Sequence, residues 1–258
     1  MGAVNAMVEA SSLNESDTVL EIGPGKGVLT DFLLKKVRQV VAVEKDDRLI
    51  PHLTERFEKE VVSGKLKIIH ADILEISPKD LGLLAKSYKL VANIPYYITG
   101  ELIQKFLETD TQPILMTLML QKEVARRIVA KDGKESILSL SVKSYGVPKY
   151  IQTVSAGCFI PKPSVDSAIL LVDNISDTFF KYANSKEDGG STTNQQKFFF
   201  SLIKSGFAHK RKKLIRNLET ITQKTTLENA FSKLDLTINT RAEDLSLEQW
   251  KTLAHLLK

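Results

Sequence analysis

From Thr18 to about Leu120, short runs rich in Val, Ile and Leu alternate with longer amphipathic stretches. No other feature constrains the fold as tightly, because strands alternating with helices pack as parallel, right-handed crossovers. Residues 18–22, 40–44, 66–70, 90–92 and 114–120 are predicted strands, and residues 28–37, 47–60 and 99–108 predicted helices. Such a series implies an α/β, Rossmann-like sheet with helices on both faces. Helices are expected at residues 3–13, 122–131 and 136–145, and strands at 150–155 and 167–172 would complete the sheet as an antiparallel pair.

Beyond residue 174 the pattern changes. Residues 184–196 contain no apolar side chain and hold Gly189 next to Gly190, which reads as an exposed, flexible loop. Helices are expected after it at 197–203, 210–219, 227–234 and 247–257. The expected division is therefore a sheet domain over residues 1–174 and a small all-helical domain over 175–258.

The chain of 258 residues is 43% hydrophobic and 26% charged, the balance of a globular protein. No apolar run approaches the roughly 18 residues of a membrane helix, and the first residues lack the basic start and apolar stretch of a signal peptide. Cys158 is the single cysteine, so no internal disulfide forms and a cytoplasmic location is expected. His52, His70, His209 and His255 show no metal-ligand spacing with one another or with Cys158, so no metal is expected. Nothing in the sequence calls for more than a monomer.

The first strand runs into Glu21-Ile22-Gly23-Pro24-Gly25-Lys26-Gly27. Glycines at such a turn let the backbone reverse sharply beside a ligand, and the following helix offers free N–H groups. The dinucleotide fingerprint requires Gly or Ala where this chain has Val28, so a ligand without a pyrophosphate is expected. Glu44 closes the second strand, where an acid binds ribose hydroxyls in nucleotide-binding sheets. Asp72 follows the third strand, placed to accept from an adenine amine. An acid at either position also serves simply as a cap for the next helix. Lys45 and Ile73, beside these acids, complete the expected cofactor-contact set with Glu21, Gly23, Gly25 and Asn93.

After the fourth strand comes Asn93-Ile94-Pro95-Tyr96. This quartet is similar to the signature of methyltransferases that act on amino groups of bases. Together with Glu21-Ile22-Gly23-Pro24-Gly25, it resembles that of the ribosomal RNA adenine dimethylases of the small-subunit type. Further segments resemble that family in order along nearly the whole chain: Gln121-Lys122-Glu123-Val124-Ala125, Phe159-Ile160-Pro161-Lys162-Pro163-Ser164-Val165-Asp166-Ser167, Arg211-Lys212-Lys213-Leu214, and Arg241-Ala242-Glu243-Asp244-Leu245-Ser246. The resemblance implies S-adenosyl-L-methionine as methyl donor. It also implies ribosomal RNA, within a pre-assembled small subunit, as substrate, and Phe159 facing the target base opposite Tyr96. Where the family carries Gln-x-Phe-Leu ahead of its first helix, this chain has only Met1-Gly2, so that module is expected to be missing. Two other functions share parts of this pattern: a large-subunit adenine methylase of the macrolide-resistance type, and a non-catalytic ribosome-assembly or nucleic-acid-binding relative.

The chemistry of the quartet supports the same reading. An adenine amine is a poor nucleophile because its lone pair is delocalised into the ring. The side-chain oxygen of Asn93 and the carbonyl of Ile94 are suited to accept both amine hydrogens and favour a pyramidal nitrogen. Pro95 restricts Ile94 to extended geometry and aims that carbonyl. Tyr96 offers a flat face to a base drawn out of its stack, whereas Tyr97 is assigned to packing.

Net charge is +5, and its distribution is uneven. Lys204, Lys210, Arg211, Lys212, Lys213 and Arg216 lie in a stretch without Asp or Glu, where Phe207, Leu214, Ile215 and Leu218 would form the apolar face of a helix. Such a strip is either a solvated helix face or, as the resemblance implies, a phosphate-binding surface.

Overall fold

The computed structural model describes residues 2–159, 161–181 and 192–258. The chain divides into two compact units: Met1–Ala125 with Gly146–Ser176, and Arg126–Tyr145 with Asp177–Lys258.

The first unit is built on a seven-stranded sheet of β1 (Thr18–Ile22), β2 (Gln39–Glu44), β3 (Leu66–His70), β4 (Lys89–Asn93), β5 (Met116–Gln121), β6 (Val147–Val154) and β7 (Ser167–Asp173). Their order is β3-β2-β1-β4-β5-β7-β6. The first five run parallel, while β7 is antiparallel to β5 and to β6. This is the expected Rossmann-like α/β sheet with its closing antiparallel pair. β1 is buried at all five positions, as a central parallel strand covered on both faces must be. The edge strand β6 instead alternates exposed and half-buried residues along most of its length.

One face of the sheet packs Val19, Val40, Ala42 and Val91 against Met7 from helix Ala3–Ala10 and Leu29 and Leu33 from helix Val28–Leu34. Each fully buried Leu or Met of this set contributes about 2 kcal/mol relative to exposure. Ser11 locks the first helix to the sheet, its hydroxyl donating to the Met7 carbonyl at 2.7 Å and pairing with the Thr117 hydroxyl at 2.8 Å. The helix expected over 47–60 is two helices, Leu49–Arg56 and Glu58–Val62. They break at Phe57 (φ −117°, ψ 32°), whose buried ring packs beneath Gly27.

In the second unit, helices Thr192–Gly206, Leu214–Leu218, Lys224–Lys233 and Leu247–Leu256 surround Trp250 and an aromatic cluster. Phe180 packs edge-on against Tyr145 at 5.1 Å and against Phe199 at 5.8 Å. Residues 126–145 fall in this unit, although the sequence puts them before the last two strands. The Glu135 N–H bonds the Glu243 carbonyl at 2.9 Å, and the Gln196 amide bonds the Tyr145 hydroxyl at 2.5 Å. The loop expected over 184–196 is helical from Thr192 onward, and its earlier part lies outside the described residues.

Candidate active site

β1, β2 and β4 are in register with Ile22 level with Val43 and Ala92, so the chain leaves all three at the same end of the sheet, where their carboxyl termini emerge. The Gly23 N–H bonds the Val43 carbonyl at 2.9 Å. Gly23, Gly25 and Gly27 have φ of +66°, +59° and +79°, left-handed backbone that side chains disfavour. A Cβ at Gly23 or Gly25 would meet nothing within 4 Å, so this turn borders open space. At Gly27 it would lie 2.4 Å from the Phe57 ring. The first two glycines thus border open space, and the third makes room for the core.

Glu44, only 7% exposed, stands at the end of β2. Its Oε2 accepts the Gly25 N–H at 3.0 Å and its Oε1 the Asp46 N–H at 2.9 Å. A carboxylate has about four lone-pair positions, which leaves acceptors for a ribose. Asp72 follows β3 and accepts the Leu74 N–H at 2.9 Å and the Lys45 ammonium at 2.6 Å. Lys45 first, then the Leu74 amide, holds its carboxyl below the usual carboxylate range. Asp72 therefore does cap the turn that follows, and the neighbouring Ile73 is buried.

Glu21 lies within β1, 1% exposed, and neither carboxyl oxygen has a hydrogen-bond partner among the described residues. Burial pushes this carboxyl up to about 8, opposed by the nearby Thr30 and reinforced by the Glu44 carboxylate. A buried acid with no hydrogen-bond partner among the described residues, leading into an open glycine turn, fits a ligand rich in polar groups such as S-adenosylmethionine, as do the acceptors left on Glu44.

β4 ends at the exposed Asn93, level with Met119 of β5. Ile94 is buried, and its N–H bonds the Met119 carbonyl at 3.0 Å. Pro95 (φ −56°, ψ 130°) turns the chain into the 3-10 helix Tyr96–Ile98. Tyr96 is half-buried, its hydroxyl 2.8 Å from Ser167 Oγ. Tyr97, assigned to packing from sequence, is 82% exposed. With three residues per turn, a Tyr96 that faces inward leaves its neighbour facing out.

Phe159 follows the short turn Ala156–Cys158 and is half-buried against the core cluster that includes Met119, Val154 and Ile169. Two residues that the sequence did not single out hold this region together. Asp166 Oδ1 accepts the Ala156 N–H at 3.1 Å, and Oδ2 accepts the Lys122 ammonium at 3.2 Å. Ser167, buried between Gln121 and Val154 in the sheet register, meets the Tyr96 hydroxyl. Their position inside the Phe159–Ser167 segment was the only signal available.

In the second unit, Lys204, Lys210, Arg211, Lys212, Lys213 and Arg216 are all exposed. The helix expected over 210–219 is only Leu214–Leu218, so Lys210, Arg211, Lys212 and Lys213 lie in a turn rather than on a helix face. Buried Asn217 enforces that turn, its amide donating to the Gly206 carbonyl at 2.6 Å and the His209 carbonyl at 3.2 Å. Among the described residues no helix is long and apolar enough to cross a membrane, and no group of three or more His, Cys, Asp or Glu is arranged to hold a metal.

The family model of ribosomal RNA adenine dimethylase matches residues 2–258. A ribosomal RNA small subunit methyltransferase A of Dehalococcoides mccartyi is 40% identical over 98% of this chain and 82% of the relative. One of Clostridium botulinum is 36% identical over 96% of this chain and 86% of the relative. Among solved structures, the 23S rRNA methyltransferase ErmE superposes with a TM-score of 0.76 at 25% identity, covering 98% of this chain and 96% of its own. A dimethyladenosine transferase of Plasmodium falciparum superposes with a TM-score of 0.78 at 24% identity, covering 97% of this chain and 93% of its own. The chain belongs to the ribosomal RNA adenine dimethylase family.

Proposed function

We propose that this protein dimethylates the N6 amine of adjacent adenosines in small-subunit ribosomal RNA, acting as a cytoplasmic monomer on a pre-assembled particle during ribosome maturation. The observation that carries the reading is the Asn93-Ile94-Pro95-Tyr96 turn, held at the end of β4 next to the glycine turn of β1. The small-subunit methyltransferases at 36–40% identity favour this substrate over that of the large-subunit enzyme, which matches at 25%.

S-adenosylmethionine, when bound, would supply a sulfonium methyl for in-line transfer, the N–C bond to the amine forming as the C–S bond breaks and the neutral thioether leaves. The chain's own residues supply position. Glu44 and Asp72 hold the adenosine portion of the donor, with Lys45 and Ile73 beside them, and Glu21 underlies the glycine turn. Asn93 and the Ile94 carbonyl accept the two amine hydrogens. Pro95 fixes that carbonyl, and Tyr96 and Phe159 flank the extruded base. The amine proton leaves to water after transfer, so no strong general base is required. Orientation of this kind is worth several orders of magnitude in rate. The exposed Lys204, Lys210, Arg211, Lys212, Lys213 and Arg216 supply phosphate contacts that carry affinity without reading sequence.

The test is methyl transfer from radiolabelled S-adenosylmethionine to unmethylated small subunits, large subunits and naked RNA in parallel. Dimethyladenosine in small-subunit RNA is the expected result, and label confined to large-subunit RNA would move the assignment to the resistance methylases. Asn93→Ala is expected to lower transfer at least a hundredfold with RNA retention nearly unchanged, and near-normal turnover would overturn the role given to Asn93.

A further inference from the structure

Tyr96 and Phe159 come from distant parts of the chain, yet both are tethered to the consecutive residues Asp166 and Ser167. The Ser167 hydroxyl lies 2.8 Å from that of Tyr96. Ser167 is itself buried, 1% exposed and flanked in the sheet by Gln121 of β5 and Val154 of β6. On the other side, Asp166 accepts the Ala156 N–H at 3.1 Å. Ala156 opens the turn that delivers Phe159, whose N–H bonds the Ala156 carbonyl at 3.3 Å. Lys122 secures Asp166 twice: its ammonium reaches Oδ2 at 3.2 Å and its N–H bonds the Asp166 carbonyl at 3.0 Å. These contacts hold Asp166 below the usual carboxylate range, the Ala156 amide first and Lys122 second, so it stays an acceptor at neutral pH.

From these contacts we infer that Asp166 and Ser167 are positioning residues that fix the gap between the two aromatic faces into which the target base is drawn. Neither touches the donor or the amine; Ser167 acts through Tyr96 and Asp166 through Phe159. The inference rests on the proposed stacking role of that pair. A ring that swings freely about its χ angles loses part of the orientation on which in-line transfer depends, whereas a ring tethered at its hydroxyl enters the encounter already ordered.

Two double-mutant cycles test this on the full chain, with unmethylated small subunits and radiolabelled S-adenosylmethionine. Ser167→Ala and Tyr96→Phe each remove one end of the same tether and leave the ring in place. Each is expected to lower kcat about fivefold to tenfold, with donor Kd and Tm unchanged, and the double variant to be no worse than either. Ser167→Thr restores the hydroxyl and is expected to regain most of the rate. In the second cycle, Asp166→Ala is expected to slow the wild type but add nothing to Phe159→Ala. Losses that multiply in either double variant, or a change under twofold in both Ser167→Ala and Tyr96→Phe, overturn the inference. Should Ser167→Ala fail to fold, Tyr96→Phe against Ser167→Thr carries the first cycle: a loss with the former and none with the latter supports the tether. Failure of the stacking reading is separately visible, because Tyr96→Ala and Phe159→Ala would then both turn over normally.

Discussion

Glu44 Oε2 accepts the Gly25 N–H at 3.0 Å, tying the end of β2 to the glycine turn that leaves β1. One carboxylate therefore braces the loop from the neighbouring strand. Hydrogen bonds to a charged group are worth about 1.5–3 kcal/mol. Glu44→Ala is expected to weaken S-adenosylmethionine binding about tenfold or more and to lower stability, as read by calorimetric titration and thermal melting. Glu44→Gln keeps one acceptor and turns an NH2 towards the other amide, so an intermediate loss is expected. Unchanged affinity in both variants would remove Glu44 from the donor site.

Gly25 and Gly27 face different surroundings. Both have positive φ, but a Cβ meets open space at Gly25 and the Phe57 ring at 2.4 Å at Gly27. Gly27→Ala combines backbone strain with overpacking and is expected to cost about 3 kcal/mol in urea unfolding. Gly25→Ala is expected to cost about 1 kcal/mol, with a larger proportional loss of donor affinity. The reverse ranking of the two stabilities would contradict the packing described for Phe57.

Burial raises the Glu21 carboxyl from 4.5 to about 8 in the folded chain. Between those values the folded state binds a proton that the unfolded state has released, so this contribution is full below about pH 4.5 and is lost as pH rises through 8. Between pH 6 and 9 the wild type is expected to lose roughly 2 kcal/mol more stability than Glu21→Gln. Urea midpoints at a series of pH values measure this directly. Parallel curves for the two proteins would mean that Glu21 is ionised throughout.

Arg211 and Lys212 are exposed on the turn that Asn217 holds. Replacing both by Ala is expected to raise KM for small subunits about tenfold and to leave kcat unchanged. The slope of log affinity against log salt is expected to fall by about 1–2, since each phosphate contact contributes about 0.7–0.9. Surface changes of this kind cost little stability. A KM and salt slope equal to the wild type's would assign the cluster to solvation alone.

Much of the architecture was legible in the residues because it is locally encoded. The alternation of apolar runs with amphipathic stretches identifies β1 to β5, and the glycine spacing after Ile22 identifies the turn whose φ values only glycine adopts freely. The Asn93–Tyr96 quartet is likewise contiguous, with Pro95 setting its backbone.

What the tertiary structure alone decided depends on contacts between residues distant in sequence. Phe57 breaks its helix because its ring fills the space under Gly27. Residues 126–145 belong with the helical unit because Glu135 and Tyr145 find partners at Glu243 and Gln196. The basic segment is a turn because a buried Asn217 satisfies two of its carbonyls. Asp166 and Ser167 gain meaning only when antiparallel pairing brings β7 beside β5 and within reach of Tyr96. Propensity and spacing act over a few residues and can be read along the chain, but burial and hydrogen-bond satisfaction are settled by whatever the fold brings alongside.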